Sequence, residues 1–110
     1  MKQAILLGSS ILGNSDEKLG RILMETFLRV LSEKEVLPEY MLLWNSAVML
    51  ATNGYAESEY LNKMCRKGTK ILICKTCIDY YNIADKLLIG TISNMPDIQQ
   101  ILLDKDALVL

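Results

Sequence analysis

Short apolar runs alternate with stretches of helical spacing along the whole 110-residue chain, and this alternation constrains the fold more than any other feature. Gln3 to Leu7 (QAILL), Tyr40 to Trp44 (YMLLW) and Lys70 to Cys74 (KILIC) each carry consecutive apolar residues with no polar residue at every second place. Such runs fit strands covered on both faces, as in a parallel sheet. A weaker strand pattern covers Gly90 to Ser93, and a last one Ala107 to Leu110.

Helical patterns fill the intervals. Asn14-Ser15-Asp16-Glu17 offers an N-cap with Glu at the third helical position. Leu19, Ile22, Leu23, Phe27, Val30 and Leu31 follow at i, i+3, i+4 spacing, with Arg21, Glu25 and Arg29 opposite. That stripe predicts the buried face. Met24 and Leu28 fall outside it and together mark a subunit contact. Ala47 to Ala51 reads as a helical turn and Asn53-Gly54 as a tight turn. A helix is predicted over Glu57 to Lys67, with Tyr60, Leu61, Met64 and Cys65 facing the core and Gly68 ending it. Met95-Pro96-Asp97 opens another, whose apolar face is Ile98, Ile101 and Leu102. The order βαβαβαβαβ predicts a three-layer α/β/α sandwich around a five-stranded parallel sheet, flavodoxin-like in layout, as one domain over residues 1–110.

Composition narrows the function. With 51% hydrophobic residues the chain can bury a core, so disorder is excluded. A net charge of −1, with Lys and Arg dispersed, leaves no basic stripe for nucleic acid. No apolar run approaches the roughly 20 residues of a membrane span, and the apolar start is too short for a signal peptide. A cytoplasmic, reducing compartment is the expectation. There is no His, which excludes the usual general base and the Ser-His and Cys-His pairs. Three cysteines without His do not make a zinc site, and their odd number argues against a secreted disulfide framework.

Sites in parallel sheets form at the carboxyl ends of the strands. Those ends carry Ser9 and Ser10, Asn45 and Ser46, Cys74, and Ser93 and Asn94. Among these, only Cys74 is capable of covalent chemistry, and Cys77 follows it in a Cys-x-x-Cys. Thr76 and Asp79 have capping-box spacing, which predicts a short helix from Cys77 to about Tyr81. Cys77 then lies in a first helical turn, where partial positive charge favours thiolate. Lys75 adds to that effect and Asp79 opposes it. Cys65 reads as core. The Gly8–Asn14 loop lacks the Lys of a P-loop and the dinucleotide glycine pattern, and reads as an ordinary loop. Nothing between Cys74 and Ile83 supplies the Arg of a phosphatase-like loop.

Four segments together resemble a known family: Ser15–Gly20 with Ile22-Leu23-Met24, Trp44–Val48, Ile71–Tyr81, and Gly90–Met95 with Asp97-Ile98. The chain resembles the DsrE-like domain of YedF-type proteins of selenium and sulfur metabolism, within the DsrE/DsrF/TusD superfamily. The resemblance implies a persulfide carrier or sulfurtransferase-like domain. Cys74 matches the sulfur-bearing position and Cys77 the second cysteine, a resolving thiol. Ser9, Ser10, Asn45, Ser46, Ser93 and Asn94 would line the pocket. No cofactor or metal is implied. The implied partners are a protein sulfur donor or acceptor, such as a TusA-like protein, and further copies of the chain. Lys75 stands where the family often has Gly, and the TusA-like domain that precedes this one in full YedF-type proteins is not in the sequence. Two other classes fit the same residues: a dithiol redox protein that cycles Cys74 and Cys77 without carrying sulfur, and a non-catalytic assembly module.

Overall fold

The computed structural model describes residues 2–110. Five parallel strands, β1 (Ala4–Leu7), β2 (Tyr40–Leu43), β3 (Lys70–Cys74), β4 (Thr91–Ser93) and β5 (Ala107–Val109), lie in the order β4-β3-β2-β1-β5. Side chains alternate across the sheet. Ile5, Leu7, Met41, Leu43, Ile71 and Ile73 meet helices α1 (Glu17–Ser32), α2 (Glu57–Arg66) and α3 (Lys75–Tyr81) on one face. Leu6, Leu42 and Cys74 meet α4 (Met95–Asp104) on the other. The three-layer sandwich expected from the apolar runs is therefore the observed fold.

Adjacent strands β3 and β4 send their outgoing segments to opposite faces, β3 into α3 and β4 into α4. Such a switch in direction leaves room beyond the strand ends. Register pairs Cys74 with Ser93 at this point. Gly90 makes the close approach of β4 possible: its φ is +94°, and a Cβ there would sit 2.7 Å from Ile73 Cδ1.

α1 is turned so that only part of its most regular apolar stripe meets the core. Gly20, Met24, Leu28 and Ser32 face the core and Phe27 and Leu31 of the predicted stripe pack at its edge, while Leu19, Ile22, Leu23 and Val30 are exposed. The reason is the polar pairing on one flank. Arg21 meets Glu57 of α2, and Tyr60 of α2 donates to Glu25 Oε1 at 2.6 Å. These contacts turn the Leu19–Val30 stripe away from the sheet. Met24 and Leu28 are thus core residues, not a subunit contact.

Three local expectations are also corrected. The cap of α1 is Asp16, whose carboxylate accepts from Leu19 N–H at 2.9 Å, and not Asn14. Cys65 is exposed, because the buried stripe of α2 is Glu57, Ser58, Leu61 and Met64. The Thr76–Asp79 capping box does not form. α3 begins two residues earlier, at Lys75, and Asp79 instead receives the Lys75 ammonium at 2.7 Å. Among the described residues, no helix is long and apolar enough to cross a membrane.

Candidate functional site

The end of β2 builds the centre of the site. Beyond Trp44 the chain enters a 3₁₀ helix, Asn45–Ala51, and Asn45 makes the corner with φ of 54°, a left-handed value that Asn tolerates better than most residues. That corner aims the Asn45 backbone N–H at Cys77, where it donates to Sγ at 3.1 Å. The Asn45 side chain is used locally, its Oδ1 accepting from Ser46 N–H at 2.8 Å.

The β1–α1 loop joins the same group. Ser46 Oγ accepts from Ser10 N–H at 3.0 Å and lies 3.4 Å from Ser9 Oγ, which in turn accepts from Ile11 N–H at 3.2 Å. Ser9, Ser10, Asn45, Ser46 and Cys77 are therefore one connected cluster. Ser93 sits apart from it, beside Cys74 on β4. Asn94 is occupied structurally: it is the N-cap of α4, with Oδ1 accepting from Asp97 N–H at 2.9 Å.

The two cysteines differ sharply in access. Cys74 is 2% exposed and packs with Leu6, Leu42 and Ile98. Cys77 is half-buried and lies one helical turn further on, in α3. Neither is in a disulfide. The thiol expected from sequence to attack first is thus the enclosed one, because Cys74 ends a strand and points at α4, whereas Cys77 starts the solvent-facing rim.

Electrostatics at Cys77 also run against the sequence expectation. Burial pushes its pKa above the ordinary value of 9.0. The Asn45 N–H works in the opposite direction by favouring thiolate, and the neighbouring Cys74 thiol raises the pKa further. Lys75 adds little, since its charge is paired with Asp79. Cys77 rests as a thiol with one donor already aimed at its sulfur.

An opening of about 340 Å³ lies next to this group, lined by Asn45, Tyr80 and Tyr81. The two tyrosine rings meet edge to face, 5.2 Å between centroids, and Tyr80 is 82% exposed. Sequence reasoning missed both tyrosines. The available signal was their adjacency: consecutive residues of a short helix point about 100° apart, so both cannot enter one core. The buried carboxylate of Glu57 was also missed, and nothing in its sequence neighbourhood distinguishes it from a solvated helix-start acid.

No protein-family description matches this sequence, and no curated protein matches it either. Solved structures do. The crystal structure of the YchN protein from E. coli is similar over 100% of both chains, with a TM-score of 0.72 and 19% identity. The structure of MTH1491, a protein of unknown function from Methanobacterium thermoautotrophicum, is similar over 97% of this chain and 96% of that one, with a TM-score of 0.66 and 12% identity. At such identities the likeness concerns the fold alone.

Proposed function

We propose that this protein handles sulfane sulfur as a YedF-like persulfide carrier, with Cys77 as the sulfur-bearing thiol and Cys74 as the enclosed thiol behind it. The observation that carries this reading is the Asn45 N–H held 3.1 Å from Cys77 Sγ beside an opening to solvent. A backbone donor fixed in advance stabilises negative charge on the sulfur when the thiol ionises. The Cys77 thiolate then attacks the outer sulfur of a donor persulfide, R–S–SH. The donor S–S bond breaks, the new Cys77 S–SH bond forms, and R–S⁻ leaves. An acceptor thiolate reverses the same exchange and restores Cys77, so no external reductant enters.

This assignment exchanges the roles that the family resemblance implies for the two cysteines. Access supports the exchange, since Cys74 is 2% exposed. Ser9, Ser10 and Ser46 hold Asn45 in place, Tyr80 and Tyr81 border the approach, and Ser93 flanks Cys74. A protein donor or acceptor such as a TusA-like protein, in the cytoplasm, is the partner that the resemblance implies, with selenium as the other chalcogen. The uncharged stripe Leu19, Ile22, Leu23 and Val30 supports self-association through α1.

The test is incubation with a persulfide donor followed by site-resolved mass spectrometry. The expected result is one added sulfur on Cys77, lost in Cys77→Ser and retained in Cys74→Ala. Absence of an adduct in the wild type, or an equal adduct in Cys77→Ser, rejects the reading. The Cys-x-x-Cys spacing of two free thiols favours one second reading, a dithiol redox pair. It predicts a reversible disulfide with a defined reduction potential and no bound sulfur.

A further inference from the structure

A buried ion pair lies behind the cluster. Glu57, at the start of α2, is fully buried, and the Arg21 guanidinium reaches it from α1, with Nη2 at 3.0 Å from Oε2 and 3.2 Å from Oε1. Only Oε1 accepts a hydrogen bond, Oε2 having none, so loss of Arg21 would leave the buried carboxylate without its one charge partner. The guanidinium also stacks on Tyr55, 4.7 Å from the ring centroid. Its third link is the informative one. Arg21 Nη1 donates to the Ser10 carbonyl at 2.7 Å, a short charge-assisted hydrogen bond.

Ser10 is where the pair meets the site. Its carbonyl is held by Arg21, and its N–H donates to Ser46 Oγ at 3.0 Å. Ser46 N–H donates to Asn45 Oδ1 at 2.8 Å, and Asn45 N–H donates to Cys77 Sγ at 3.1 Å. An unbroken line of contacts therefore runs Glu57, Arg21, Ser10, Ser46, Asn45, Cys77. A second contact fastens the same loop to α1. Leu12 N–H donates to the Gly20 carbonyl at 3.1 Å, and a Cβ on Gly20 would lie 2.8 Å from Ile11 Cβ.

We propose that Arg21 and Glu57 form a positioning pair that, through Ser10 and Ser46, keeps the Asn45 backbone N–H aimed at the Cys77 sulfur. The proposal rests on Cys77 as the working thiol and concerns its reactivity, whichever compound it reacts with. Neither residue touches the sulfur. Asn45 occupies a backbone conformation that relaxes readily without support, and a fixed donor contributes more to an ionising group than a mobile one.

The test uses the full chain in a Cys65→Ser background, which removes the exposed thiol, and follows alkylation of Cys77 by iodoacetamide across pH with the site located by mass spectrometry. Two variants are compared: the double substitution Arg21→Met/Glu57→Met, which removes the pair without leaving a buried charge, and Ser46→Ala, which cuts the line nearer the sulfur. Each is expected to slow Cys77 alkylation roughly three- to tenfold near about pH 8, with the profile displaced to higher pH. Combining all three substitutions should slow it no further, because they interrupt one line. Folded variants that alkylate within about twofold of the parent, or effects that simply multiply, overturn the proposal. If the double variant does not fold, Arg21→Lys, which keeps a positive charge for Glu57 but removes the guanidinium fork that also reaches Ser10, takes its place by the same criterion. Failure of persulfide loading with these alkylation shifts intact would instead sink only the carrier reading.

Discussion

The backbone N–H of Asn45 and the sulfur of Cys77 face each other at 3.1 Å across the carboxyl end of the sheet. Asn45 does this from a left-handed conformation, φ 54°, at the entry to a 3₁₀ helix. The contact favours a thiolate, yet burial and the neighbouring Cys74 outweigh it and the thiol stays above its ordinary pKa. Such a group is quiet at neutral pH and has charge stabilisation waiting where the ionised sulfur will need it.

The sign of the pH response follows. Because the folded Cys77 pKa is raised, its contribution to stability is complete below the ordinary thiol value of 9.0 and declines as pH rises above it. Alkylation of Cys77 should therefore keep accelerating past that value. Cys74→Ala removes a neighbour that raises the Cys77 pKa, so the profile should move to lower pH. Alkylation rate against pH, resolved by site, checks this; an upward or absent shift contradicts it.

Gly20→Ala offers a test with a reversed sign. In a helix interior, Ala is favoured over Gly by about 1 kcal/mol. Here the new Cβ would lie 2.8 Å from both Ile11 Cβ and the Leu12 carbonyl oxygen. The expected net result is a loss of about 1–3 kcal/mol in urea unfolding. A gain in stability would show that the β1–α1 loop is not pressed against α1.

The turned orientation of α1 makes a third set of outcomes. Met24→Ala and Leu28→Ala should each cost about 2–5 kcal/mol, since both side chains are almost fully buried. Leu19→Ala and Ile22→Ala should change the stability of the isolated chain by no more than about 0.5 kcal/mol. On the proposed self-association through α1, Ile22→Glu or Leu23→Glu should lower the mass measured by sedimentation without unfolding the chain. Equal losses from both stripes in urea unfolding would contradict the observed orientation.

Strand identity was legible because burial on both faces leaves a run of apolar residues that little else produces. Lys70 to Cys74 is the clearest case, matching β3 residue for residue. Helix existence was legible for the same kind of reason. The α1 face was not, because the buried line includes Gly20 and Ser32, which carry no hydrophobic signal, and the orientation depends on Glu57 and Tyr60 of α2. The capping box failed because α3 starts directly after β3, with Cys74 at the N-cap, so Thr76 already lies within the helix and Asp79 pairs with Lys75 instead.

By itself, the sequence determined a five-stranded α/β/α layering and the placing of small polar residues and Cys74 at strand ends, because hydrophobic periodicity is a local property. Which sulfur meets solvent, which backbone N–H meets that sulfur, and which carboxylate is sealed behind them were decided only in three dimensions. Each depends on segments more than thirty positions apart, Ser10 with Ser46 and Asn45 with Cys77, brought together when the strands register. Contacts of that kind arise from chain packing and leave no periodic trace in the order of residues.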